Sequence, residues 1–173
     1  MKKNTLTPFY FLSTILLTFI FLGCSKPEDG AIGPAGTANV IYSNWESAPT
    51  ATPTTIDGTN GNATSITVTK LNQDILDKGT VLVYGKFATT VFALPYVSTA
   101  GGSANTLTYF PELNNIKLFR FKHDGSGGVS ISTSVQFRYI LIPGGIVTTG
   151  KQTQPDFKRM AYSEVCKYLK IQE

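Results

Sequence analysis

The chain has 173 residues, of which 42% are hydrophobic, 15% charged and 12% aromatic. It is too apolar for a disordered segment and too polar for a multispanning membrane protein. The formal charge is +4, but Lys2 and Lys3 belong to an N-terminal leader, and the remaining 13 basic and 11 acidic residues form no dense cluster. That balance excludes the electrostatic footprint of a nucleic-acid partner. Abundant Gly, Thr, Ser and Asn suit strands joined by turns better than long helices.

The leader comes first. Lys2 and Lys3 form a short basic region, and Phe9 to Leu22 is a run of 14 residues interrupted only by Ser and Thr. A membrane-spanning helix needs about 20 apolar residues, so this run has the length of a signal-peptide core instead. Gly23 and Cys24 follow at once, and the chain then turns polar through Ser25, Lys26, Pro27, Glu28 and Asp29. A small residue directly before a cysteine at this point resembles the lipobox of bacterial lipoproteins. The resemblance implies cleavage between Gly23 and Cys24, and a diacylglycerol on the Cys24 thiol, usually with a third acyl chain on its amine. One acyl chain holds a protein only marginally, whereas two or three hold it firmly. With Cys24 acylated, Cys166 is the one remaining cysteine and no intrachain disulfide can form.

Residues 24–38 read as a tether. Gly30, Gly33 and Gly36 recur at period three with Pro34 between them, the phase of collagen, in too few triplets for a stable triple helix. Lys26 followed by Glu28 and Asp29 is similar to the signal that exports lipoproteins of Bacteroidetes-type bacteria to the outside of the outer membrane. Any short polar tether would share that composition. The segment from Gly33 to Trp45, with VLVYGKF (81–87), LPY (94–96), FRYILIPGG (137–145) and YSEVCKYLKI (162–171), resembles a group of uncharacterised lipoproteins of such bacteria. Their lipobox, collagen-like stub and single β-rich domain imply the division 1–23 signal peptide, 24–38 tether and 39–173 domain. They imply no activity.

Within 39–173, Asn39 to Trp45 predicts a strand rich in β-branched and aromatic residues. Glu46 to Ala63 reads as a loop or edge meander, and Thr64 to Lys70 as a half-buried strand. Leu71 to Asp77 predicts a short helix stopped at Gly79, and Thr80 to Phe87 a central strand, apolar on both faces over its first half. Further strands are expected at 91–97, 107–110 and 116–122. Val129 to Ile142 alternates at first and turns apolar on both faces at Ile140 and Ile142, which predicts one long strand that starts half exposed and ends fully buried, with Phe137 and Tyr139 on its buried face and a GSGG hairpin turn before it. Tyr162, Val165, Cys166 and Leu169 predict a short C-terminal helix capped by Ser163. The expectation is a mainly β domain: an antiparallel sandwich of about seven strands with one or two short helices.

Few residues point to chemistry. His123 is the single histidine, so a multi-histidine metal centre cannot form, and its place before a turn suits a solvated side chain. Ser126 has Asp124 two positions before it, where the G-x-S-x-G nucleophile elbow needs glycine, and a strand is expected after it in place of a helix. Asp57 to Asn62 is oxygen-rich but lacks the acidic residues that calcium needs. Cys166 sits on the apolar side of its helix. Lys117, Arg120 and Lys122 read as a charged edge, or as contacts for an anion. Trp45, Tyr96 and Tyr109, with Tyr42 and Phe110, are candidates for an aromatic ligand surface. No metal and no cofactor is expected. These features favour a non-catalytic envelope lipoprotein, anchored in the outer membrane through Cys24 and facing the cell surface, that binds a glycan or a protein. The alternatives are an envelope hydrolase using carboxylates such as Glu112 and Asp124, and a structural subunit of a surface assembly.

Overall fold

A computed structural model of the chain describes residues 39–144 and 155–173. The signal peptide, Gly23, Cys24 and the export residues Lys26, Glu28 and Asp29 lie outside the described residues, as does the tether through Ala38.

The domain is an antiparallel sandwich of two five-stranded sheets. In chain order the strands are β1 (Ile41–Tyr42), β2 (Glu46–Ser47), β3 (Thr52–Ile56), β4 (Thr59–Thr67), β5 (Thr80–Phe87), β6 (Thr90–Ala93), β7 (Tyr96–Ser98), β8 (Asn105–Glu112), β9 (Asn115–Lys122) and β10 (Gln136–Ile142). Two helices are present, α1 (Gln73–Lys78) and α2 (Tyr162–Leu169), with a 3-10 turn at Phe157–Arg159. The first sheet runs β1-β10-β5-β6, with β2 also on β10; the second runs β3-β4-β9-β8-β7.

The sheets bury their facing sides against each other. Val83, Phe137 and Leu141 of the first sheet meet Leu107, Ile116 and Leu118 of the second, with Ile75 of α1 in the same cluster. Strands β5 and β10 are also buried on their outward face, where Leu82, Tyr84, Ile140 and Ile142 pack with Phe157 and with Val165 of α2. The double burial explains why both strands lose their alternation and read as apolar runs. Row by row, Gly85 lies between Phe137 and Phe92, and a Cβ there would fall 2.5 Å from the Phe92 ring. The small residue makes room for two rings on one row.

The helices follow their capping residues. Asn72 is the N-cap of α1 and its side chain accepts from the Ile75 amide at 3.0 Å. In α2 the N-cap position falls on Ala161, not on the expected Ser163. The Glu164 carboxylate closes the turn by accepting from the Ala161 amide at 2.8 Å.

Beyond the cap of α2, four expectations change or sharpen. The strands number ten among the described residues, not about seven. The segment from Glu46 to Ala63, read as a loop or edge meander, is the meander: it holds β2, β3 and half of β4, with β3 at a sheet edge and Asp57 and Gly58 as a two-residue turn at φ 46° and 71°. Positive φ at both positions matches the twist of a hairpin. The 91–97 strand divides at the cis Leu94–Pro95 bond, β6 joining the first sheet and β7 the second. The long strand over 129–142 keeps only Gln136–Ile142. Before it, Ser132 bends the chain: its carbonyl accepts from the Val135 amide at 3.0 Å and its hydroxyl from the Ser134 amide at 3.2 Å. Serine side chains compete for backbone groups in this way. The GSGG turn therefore joins β9 to a crossover between sheets, not to a paired neighbour. Phe137 is nevertheless buried, and Tyr139 packs half-buried against the same cluster.

Candidate functional site

The three aromatics singled out from the sequence do not meet. Trp45 lies between β1 and β2 and packs on the outward face of the first sheet. Tyr96, on β7 of the second sheet, is 41% exposed, and its ring lies 4.4 Å from that of Phe92. Tyr109 fastens the two sheets together, donating from its hydroxyl to the Val81 carbonyl at 2.8 Å. Burial pushes its phenol above the ordinary range.

A different aromatic row lies on the outward face of the second sheet. Alternation along β9 sends Leu118 and Arg120 inward and Lys117, Phe119 and Phe121 outward, with His123 next in phase. The rings of Phe110 and Phe119 are 6.3 Å apart, those of Phe119 and Phe121 stack at 5.5 Å, and that of His123 follows Phe121 at 5.9 Å. Phe119, the centre of the row, is 2% exposed, while Phe110 at its end is 38% exposed. Phe119 lies flat because Gly61 on β4 has no side chain. A Cβ at Gly61 would fall 2.5 Å from the Phe119 ring and 2.7 Å from the Arg120 carbonyl. Gly61→Ala should therefore cost about 1–3 kcal/mol by forcing ring and backbone apart, read as a lower denaturant midpoint. A variant as stable as the parent would show that the ring does not need this space.

Polar groups border the row. Thr106 and Thr108 are paired in register with Phe121 and Phe119. The Thr106 hydroxyl bonds the His123 Nε2 at 2.7 Å. Beyond Phe110, Lys117 Nζ lies 2.5 Å from Glu112 Oε1, and Asn115 donates to the other Glu112 oxygen at 3.0 Å. The Lys117 and Asn115 hydrogen bonds hold the Glu112 carboxyl below its usual range, so the pair withstands acid better than an unpaired glutamate would. The first sheet's outward face is covered by α2; among the described residues no helix packs on this one.

The signal for this row was present as Phe119, Phe121 and His123 at alternate positions. The charges interleaved with them suggested an edge strand, yet β9 is central, between β4 and β8. Arg120 points inward and is a structural cation. Its Nε donates to Asn105 Oδ1 at 2.9 Å, Nη1 to the Ser130 carbonyl at 3.1 Å and Nη2 to Ser98 Oγ at 3.2 Å. Its register partner Leu107 belongs to the core.

Other candidates resolve into local structure. Glu112 and Asp124 stand at opposite ends of β9, a span of roughly 23 Å at strand rise, too far for a shared glycosidic bond. Asp124 accepts from the Ser126 amide at 2.9 Å, an ordinary turn bond. Asp57 to Asn62 spans the β3–β4 hairpin turn, and among the described residues no three His, Cys, Asp or Glu side chains gather as a metal site. Cys166 is buried, and burial pushes its thiol up, away from reactivity. An open cleft of about 400 Å³ between α1, β5 and β8 is lined by Ile75, Leu76, Val81, Tyr109, Pro111 and Lys158 among others, with no acid–base pair in it.

In comparisons with known proteins, no family model, no curated protein and no solved structure matches this chain.

Proposed function

We propose that the chain is a lipid-anchored envelope module, acylated at Cys24 and exported to the surface of the outer membrane. Its sandwich domain binds a glycan through the outward face of the second sheet. The leader, the Gly23–Cys24 junction and the Lys26–Glu28–Asp29 run support the anchoring and its side. The observation that carries the binding reading is the row Phe110–Phe119–Phe121–His123 on a sheet face that no helix among the described residues covers. Pyranose rings present apolar C–H faces bordered by hydroxyls. Phe110, Phe121 and His123, held in place by the buried Phe119 and bordered by Thr106, Thr108, Asn115 and the Lys117–Glu112 pair, present the complementary alternation.

The test is retention of the purified protein on immobilised envelope polysaccharides. Phe110→Ala with Phe121→Ala should weaken retention about tenfold, since each aromatic contact is worth about 0.5–1.5 kcal/mol. The variant should still unfold in one cooperative transition, lowered only by the loss of packing on Phe119, because neither ring belongs to the core between the sheets. Unchanged retention would sink the assignment of this face. Loss of a protein partner by the same pair, with no polysaccharide bound by the parent, would replace the glycan with a protein.

A further inference from the structure

The outward face of the first sheet holds a cation that the proposed glycan surface does not use. Arg138 on β10 is 4% exposed. A guanidinium is expensive to bury unless an acid pairs with it. Among the described residues no carboxylate forms an ion pair with Arg138. Glu46 is in register with Phe137, which faces the core, and the Glu164 carboxylate is bonded to the Ala161 amide.

Aromatic rings stand where the acid would be. The guanidinium carbon lies 4.9 Å from the Tyr42 ring centre, 5.9 Å from that of Tyr162 and 6.0 Å from that of Trp45. Nε donates to the Ser43 carbonyl at 2.9 Å, and Nη1 donates to the Tyr162 hydroxyl. Nη2 has no hydrogen-bond partner among the described residues. A second cation shares the corner: Lys86 Nζ lies 5.2 Å from the Trp45 ring centre and has no acidic partner among the described residues.

A bulge builds this corner. Tyr42 pairs with Ile140 and Glu46 with Phe137, so three residues, Ser43 to Trp45, oppose two on β10. The extra residue turns the Ser43 carbonyl onto Arg138 and brings Trp45 against Tyr162, with ring centres 5.6 Å apart. Bulges re-aim side chains at edges and sites.

We propose that this corner binds an acidic sugar. Its carboxylate or phosphate takes the Arg138 Nη2 donor with Lys86 as the second positive charge, and its ring lies against Trp45. Tyr42, 41% exposed on a two-residue edge strand, is the outermost ring, and turning it outward admits the anion. Charge-assisted hydrogen bonds to a guanidinium supply the selectivity for anions.

Trp45 is the single tryptophan of the chain, so its emission reports this corner alone. Titration of the whole purified protein with glucuronate and with glucose 6-phosphate should change that emission saturably. At least one of them should have a midpoint about tenfold or more below that of glucose. Lys86→Gln leaves the buried guanidinium in place and should raise that midpoint about threefold or more. Phe110→Ala with Phe121→Ala should leave it unchanged, so failure here and failure of the glycan face are separable. No saturable change with either acidic sugar, or equal midpoints for glucose and the acidic sugars, overturns the proposal. So does an unchanged midpoint in Lys86→Gln. Inorganic phosphate alone binding as tightly as glucose 6-phosphate overturns the sugar and leaves an oxyanion site.

Discussion

Phe137→Ala is expected to cost about 3–5 kcal/mol of folding stability, the range for deleting a fully buried aromatic side chain. The ring is 1% exposed and sits in the core between the sheets. Its row neighbour in β5 is Gly85, whose missing side chain leaves the Phe92 ring beside it as the nearest filler. A domain of this size has about 5–15 kcal/mol in all, so the variant should unfold at a much lower denaturant concentration with a similar slope. Phe87→Ala is the matched control: that ring is 56% exposed at the tip of the β5–β6 hairpin, and its loss should change stability little. A cost below about 1 kcal/mol at Phe137 would mean that the ring does not occupy the core.

Which parts of this architecture the sequence disclosed follows from where each signal lives. Strands β5 and β10 were legible because burial on both faces leaves a short apolar run in each, ended by a turn. Helix α2 was legible because Val165 and Leu169, four residues apart, place one apolar stripe on a short segment. The run from Val129 to Ser134 was misleading for the opposite reason. It alternates apolar with polar residues as a strand does, but its serines bond the local backbone and the chain has to cross between sheets there. Ile131 is buried all the same, so the apolar residues served the core without a ladder.

The division of 91–97 between two sheets is a tertiary fact with no local signature beyond Pro95. The aromatic row is a similar case. Phe119, Phe121 and His123 alternate visibly, but their joint meaning depends on Gly61, some sixty residues upstream, lying beneath Phe119. Likewise Arg138 looks like one polar residue on a half-exposed strand until a bulge at Ser43 to Trp45 closes aromatic rings around it. Strand pairing within each sheet set both sites, and pairing is what a single sequence encodes least locally.

Cys24→Ser is the change with the largest expected effect on where the protein resides. On the proposed reading, the thiol carries diacylglycerol and the amine a further chain. Two or three acyl chains make dissociation from a bilayer negligible, whereas a hydroxyl at the same position gives the lipid-transfer step no nucleophile of comparable strength. The 14 residues from Phe9 to Leu22 are too short to replace the anchor by spanning the hydrocarbon core, which takes about 20. The variant should therefore leave the membrane fraction for the soluble one and lose the mass of the lipid. The domain itself should keep its thermal transition, since Cys24 lies 15 residues before Asn39, where the described domain begins. Fractionation of cells making the parent and the variant, with intact mass measured on both, reads the result. A variant that still sediments wholly with membranes, or a parent without added lipid mass, would remove the anchor and leave the N-terminus as an uncleaved hydrophobic helix.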